Sequence, residues 1–166
     1  MTSQLISTPI GKLQAVWSPL GKLQSFGFFE TASADSQLFQ PTSLTQPQQL
    51  LADRLELYFR SGQLEWDLEL LDWTAIAPFH QRVLRACYQI PAGETLSYAS
   101  LAAQAGSPRG ARAVGSAMAR NRWPVLIPCH RVVGAQGQLT GYSGAGGTET
   151  KRWLLDLESR QFAMST

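Results

Sequence analysis

Cys129 and His130 stand side by side in Ile127-Pro128-Cys129-His130-Arg131-Val132-Val133, a pairing that invites covalent chemistry. A thiol attacks carbon only as thiolate, and a reference pKa of about 8.5 leaves a minor fraction ionised at neutral pH. Such a nucleophile needs an imidazole to take the proton and a cationic neighbourhood to favour the anion. Pro128 removes a backbone donor and fixes φ, so Cys129 is expected to leave an extended segment in a set direction. For an isolated Cys-His pair the plainer reading, a buried cysteine beside a polar histidine, ranks first.

The rest of the C-terminal half changes that ranking. Tyr98, Arg112 within Ala111-Arg112-Ala113-Val114-Gly115, Asn121, the Pro128-Cys129-His130-Arg131-Val132 run, Tyr142-Ser143 and Glu158 follow one another in order. Together they resemble the O6-alkylguanine-DNA alkyltransferases, the methylated-DNA–protein-cysteine methyltransferases, from about Phe79 to Glu158. The resemblance implies a single-turnover DNA repair protein. It would move the alkyl group of O6-alkylguanine, with O4-alkylthymine as a further candidate, irreversibly onto its own Cys129.

The resemblance also assigns roles. His130 accepts the thiol proton by way of a water, since adjacent side chains on an extended segment point to opposite sides. Glu158 orients the imidazole; on a helix it falls one turn after Leu154, at the edge of a packed face. Tyr98 protonates the departing purine, and Asn121 ties the preceding helix to the cysteine segment. Tyr142, Ser143, Pro124, Val132 and Trp123 border the substrate. Arg131 is structural or charge-stabilising. The segment from Pro108 to Ala119 is implied to lie in the DNA minor groove, with Arg112 entering the base stack as the target nucleotide swings out. Its small residues, Ala111 and Gly115 among them, suit close approach to DNA, but a packing face against another helix explains them equally well. Arg109, Arg120 and Arg122 add phosphate contacts.

The chain departs from the family at Arg122-Trp123, where smaller residues are usual, which bears on how bulky an O6 group fits. Some relatives carry a zinc site in the N-terminal domain; this chain has no cysteine there, and neither a metal nor a cofactor is expected. Two rival readings stand beside transfer. One is a non-catalytic binder of alkylated DNA, although such proteins carry tryptophan where this chain has Cys129. The other is a Cys-His-Glu hydrolase, which leaves the arginine-bearing helix unexplained.

The 166 residues suffice for one domain or two small ones, and 44% apolar with 16% charged side chains is a globular composition. Residues 1–79 hold four basic side chains against eight acidic ones, net −4; residues 80–166 hold ten against four, net +6. That asymmetry suits a polyanion partner for the basic half. The resemblance makes that partner double-stranded DNA carrying O6-alkylguanine, read from the minor groove with little sequence preference. A monomer is expected, with cooperative binding along DNA left open. The start lacks the basic-then-apolar run of a signal peptide and no apolar stretch could span a membrane, so a reducing cytoplasm is expected, in which the thiol stays free.

The elements that must position these residues divide the chain into an α+β fold of two small domains. Residues 1–73 form the N-terminal scaffold: a β-hairpin around Ser18-Pro19-Leu20-Gly21, a helix from Thr45-Gln46-Pro47 to Gly62, and a half-buried strand over Leu64–Leu71. Residues 74–166 form the mainly helical DNA-binding and alkyl-transfer domain. Helices are expected over Pro78–Gln89 (Phe79, Val83, Ala86 and Cys87 inward), Tyr98–Ala105 behind a Ser97 cap, and Pro108–Arg120. The last two form a helix-turn-helix. The cysteine loop follows, then a helix over Thr150–Arg160 packing through Trp153, Leu154 and Leu157.

Overall fold

The structure, a computed structural model, describes residues 1–29, 43–142 and 146–164. The fold is α+β, and the chain divides into two compact units, Met1–Thr74 and Ala75–Thr166.

In the first unit the expected hairpin belongs to a three-stranded antiparallel sheet in the order β1 (Thr2–Thr8), β2 (Gly11–Trp17), β3 (Leu23–Phe28). On β2, Leu13, Ala15 and Trp17 alternate inward as a half-buried strand requires. β1 escapes the sequence pattern because its buried positions are Ser3 and Gln4. Their polarity is met by hydrogen bonds: Gln14 Nε2 donates to Ser3 Oγ (2.8 Å), and Gln4 joins the Trp17 indole (3.3 Å) to the Gln48 carbonyl (2.9 Å). Helix α1 (Gln46–Ser61) packs on β1 through Leu51, Leu55 and Tyr58. Thr45 and Gly62 bound it as expected; Gln48 Oε1 accepts from the Thr45 N–H (2.9 Å), and Gly62 takes the left-handed φ of 68° that ends a helix.

The strand expected over Leu64–Leu71 does not form. The Asp67 carboxylate accepts from the Glu69 N–H (2.9 Å) and caps a short 3-10 turn, Leu68–Leu70, so a local side-chain bond replaces the ladder. Only Leu71 reaches the sheet, as an isolated bridge to Leu23.

The second unit clusters α2 (Pro78–Tyr88), α3 (Tyr98–Gln104) and α4 (Ala111–Ala119) around Val83, Leu84, Cys87, Leu101 and Val114. Phe79 and Ala86 are only half-buried. Ser97 caps α3 as expected, its hydroxyl accepting from the Ser100 N–H (3.1 Å). Two-residue strands β4 (Leu96–Ser97) and β5 (Val132–Val133) pair in parallel. Helix α5 (Thr148–Met164) lies against the turn that carries Cys129.

Two expectations about helices need correction. The second helix of the pair begins at Ala111, not Pro108, because Ser107–Gly110 closes a turn with Gly110 N–H on the Ser107 carbonyl (2.8 Å). A Cβ on Gly110 would sit 2.5 Å from Ser107 Oγ and 3.0 Å from the Ser107 carbonyl oxygen, so any larger residue would have to displace Ser107, and Arg109 lies in that turn. On α5, Trp153 is exposed and Leu157 half-buried; the buried row is Lys151, Leu154 and Glu158, at the three- and seven-residue spacings of one helix face.

Candidate active site

Cys129 does not sit on an extended segment. Pro128 holds φ −79°, ψ 63°, an inverse γ-turn in which the Cys129 N–H reaches the Ile127 carbonyl (2.8 Å). The chain then winds into one 3-10 turn, Cys129–Arg131, closed by Arg131 N–H on the Pro128 carbonyl (2.9 Å). Successive side chains of such a turn are about 120° apart, so Cys129 and His130 diverge without being opposed.

The approach to this turn is braced from behind. Asn121 is buried; its Oδ1 accepts from the Trp123 N–H (3.0 Å) and its Nδ2 donates to the Ile127 carbonyl (3.0 Å). Between them Val125, buried and β-branched, is held at φ 73°. That conformation costs about 1–3 kcal/mol and persists only where its surroundings over-determine it. The brace also turns the Trp123 indole wholly inward, with Arg122 left outside.

Behind Cys129, two side chains share one buried carboxylate. Glu158 Oε1 lies 2.7 Å from His130 Nε2 and 2.9 Å from an Arg131 terminal nitrogen, and Oε2 lies 3.0 Å from Arg131 Nε. The other Arg131 terminal nitrogen donates to the Ile90 carbonyl (2.5 Å). Burial alone would push the Glu158 carboxyl up. The hydrogen bonds and charges of His130 and Arg131 outweigh it and bring the value down to about 2. Burial holds His130 below its ordinary range, with Glu158 opposing. The pair is therefore a neutral imidazole donating from Nε2 to an ionised carboxylate, which leaves Nδ1 as the basic nitrogen.

In front of Cys129 lies a cavity of about 240 Å³. Its walls are Tyr98 at the start of α3, Gly115, Met118 and Ala119 on α4, and Gly141 with Tyr142 on the segment before α5. Cys129 is 5% exposed, so reagents must reach it through this opening. The Tyr142 hydroxyl is buried without a hydrogen-bond partner among the described residues; burial pushes its pKa well up, so it remains a phenol with a proton to donate. The cavity thus offers a sulfur, aromatic walls and phenolic donors on a scale that fits a planar heterocycle.

The expected site residues divide sharply. Cys129, Tyr98, Tyr142 and Gly115 line the cavity, and His130, Glu158 and Asn121 support it from behind. Trp123, Pro124 and Val132 are buried and are not among the residues that line this cavity. Ser143 lies outside the described residues. Arg109, Arg112, Arg120 and Arg122 are exposed, and Ala111 is half-buried. Arg112 sits one turn before Gly115, on the same face of α4.

Met118, Ala119 and Gly141 were not foreseen, although Met118 follows Gly115 at i+3. Lys151 was also missed. Its Nζ, wholly buried, donates to the carbonyls of Val132 (2.6 Å), Thr140 (2.9 Å) and Gly141 (3.4 Å). Its i+3 and i+7 spacing to Leu154 and Glu158 was the available signal. Among the described residues no group of three or more His, Cys, Asp or Glu could hold a metal, and no helix is long and apolar enough to cross a membrane.

Known proteins resemble this chain in sequence and fold. The family model for the 6-O-methylguanine DNA methyltransferase DNA binding domain matches residues 78–160. A methylated-DNA–protein-cysteine methyltransferase of Salmonella typhimurium is 37% identical over 164 residues, 93% of this chain and 94% of the relative. One from Mycobacterium tuberculosis is 50% identical over 107 residues; the match spans 64% of this chain but only 62% of that relative's length. The crystal structure of Mycobacterium tuberculosis OGT in complex with DNA superposes with a TM-score of 0.82 at 38% identity, over 97% of this chain and 94% of that one.

Proposed function

The chain belongs to the methylated-DNA–protein-cysteine methyltransferases, and we propose that it repairs O6-alkylguanine in DNA by taking the alkyl group onto Cys129. One observation carries this reading: the sulfur opens into a cavity that would hold a base, while a buried His130–Glu158–Arg131 set stands directly behind it.

The chemistry is a displacement at the alkyl carbon. His130 accepts the thiol proton by way of a water, and Glu158 holds the imidazole by its Nε2–H and stabilises the resulting imidazolium. The Cys129 thiolate forms the S–C bond as the C–O6 bond breaks, and guanine departs with the electron pair. Tyr98 and Tyr142 supply hydrogen bonds at the purine edge; a proton from Tyr98 neutralises the leaving base, and the imidazolium proton returns through solvent to the phenol. Arg131 keeps Glu158 ionised. A thioether has no easy route back to thiol, so each chain reacts once.

DNA is the partner of this reaction. Helix α4 approaches the minor groove with Arg112 leading, and the target base leaves the stack to enter the cavity that Gly115, Met118 and Ala119 border. Extrusion costs a few kcal/mol, less for a damaged base that pairs badly, so the lesion helps to select itself. Arg109, Arg120 and Arg122 are exposed, which supports contacts from them to phosphates.

Stoichiometry tests the proposal. Titrating a duplex containing O6-methylguanine against the full chain should remove one lesion per chain and then stop. Continued turnover, or no removal at any ratio, would overturn it.

A further inference from the structure

We propose that Lys151 and Thr140 form a clamp that fixes the open side of the cavity and positions Tyr98 for the reaction. The proposal rests on the transfer reading and deepens it. Lys151 is wholly buried, and its three hydrogen bonds all go to backbone carbonyls: Val132, three residues after the nucleophile, and Thr140 and Gly141, directly before Tyr142. An ammonium has three protons and no acceptor, so one side chain satisfies three carbonyls and joins the strand that follows the cysteine turn to the rim of the cavity. The carbonyls of a segment held this way cannot drift without leaving a buried cation unsolvated, which is costly.

Thr140 carries the constraint to the reacting edge. Its backbone carbonyl is gripped by Lys151, while its hydroxyl donates to the Tyr98 phenolic oxygen (3.2 Å). A phenol that accepts on its oxygen keeps its own proton for another acceptor. Tyr98 lines the cavity, so that proton is available to a purine held there. Thr140 itself is exposed, and its hydroxyl's hydrogen bond goes to Tyr98. Lys151 and Thr140 are therefore positioning residues: neither touches the sulfur's reaction partner, and both act through Tyr98 and the rim.

The test uses the full chain and two reagents. O6-Benzylguanine needs the cavity and the Tyr98 proton; iodoacetamide needs only the thiol. Single-turnover rates with O6-benzylguanine should give a limiting rate about five-fold lower in Thr140→Val, as expected for one lost hydrogen bond. Thr140→Ser, which keeps the hydroxyl, should recover it. Lys151→Met should raise the half-saturating O6-benzylguanine concentration at least ten-fold by releasing the rim. In Thr140→Val the iodoacetamide rate and the melting temperature should match the wild type. The clamp is overturned if Thr140→Val reacts at the wild-type rate, if Thr140→Ser is no better than Thr140→Val, or if O6-benzylguanine and iodoacetamide rates fall together. A wild-type chain that takes no benzyl group at all would instead overturn the transfer reading itself.

Discussion

Glu158 is the residue on which the local energetics turn. Removing one partner of a buried ion pair typically costs about 3–5 kcal/mol, because the other charge is left uncompensated. Here the carboxylate faces Arg131 with both oxygens, and His130 besides. Its value is lowered from an ordinary 4.5 to about 2, so the stability it contributes is complete above pH 4.5 and is lost as pH falls through 2. His130, lowered by burial, acts in the same direction. Below pH 6.5 the unfolded chain takes a proton that the folded one refuses, and folding weakens. Melting temperatures recorded from pH 8 to pH 2 should therefore begin to fall below about 6.5 and drop more steeply below 4.5. Glu158→Gln should remove most of the steeper part. A flat profile between pH 6.5 and 3 would contradict the charge states assigned to this pair. The sequence showed the Cys129-His130 pair and the helical position of Glu158. Arg131 was legible only as a nearby cation, because the grip on Glu158 and Ile90 joins positions 27 and 41 residues away.

At the level of elements, α4 serves two purposes at once. Val114 and Ala117 face the core, while Gly115, Met118 and Ala119 border the cavity and Arg112 stands outside. Nothing lies within 4 Å of a Cβ built on Gly115, and its φ is not positive, so the fold does not require its smallness. Gly115→Ala should accordingly raise stability by up to about 1 kcal/mol through helix propensity, read as an increased melting temperature. Gly115→Phe should fold normally yet slow transfer from O6-benzylguanine at least ten-fold. Wild-type transfer in Gly115→Phe would show that the cavity is not the route to Cys129. Helices with caps and Gly stops were readable because those signals are local, as at Thr45, Gly62 and Ser97. The late start of α4, the absent strand over Leu64–Leu71 and the inward Trp123 were not. Each is decided by a hydrogen bond from a short polar side chain or a turn, at Ser107–Gly110, Asp67 and Asn121, that periodicity does not register.

Across the whole molecule, charge and chemistry are concentrated in the same half of the chain. Residues 80–166 carry a net +6, and Arg109, Arg112, Arg120 and Arg122 are exposed there. Affinity for duplex DNA should fall with salt, with a log–log slope of about −0.9 for each phosphate contacted, and Arg112→Ala should act differently from its neighbours. If Arg112 assists extrusion of the base, Arg112→Ala slows repair of O6-methylguanine in duplex at least ten-fold while reaction with free O6-benzylguanine is unchanged. Equal losses on both substrates would remove Arg112 from that role. The family motif was legible because the chemistry sits in one contiguous stretch of sequence; the Lys151–Thr140 link was not, because it exists only once α5 has docked. The central claim, that the sulfur at position 129 receives the alkyl group, is tested most directly by mass spectrometry after incubation with an O6-methylguanine duplex. The account predicts one added methyl group per chain, mapped to Cys129 and absent in Cys129→Ala; an unmodified chain, or a methyl group on any other residue, would contradict it.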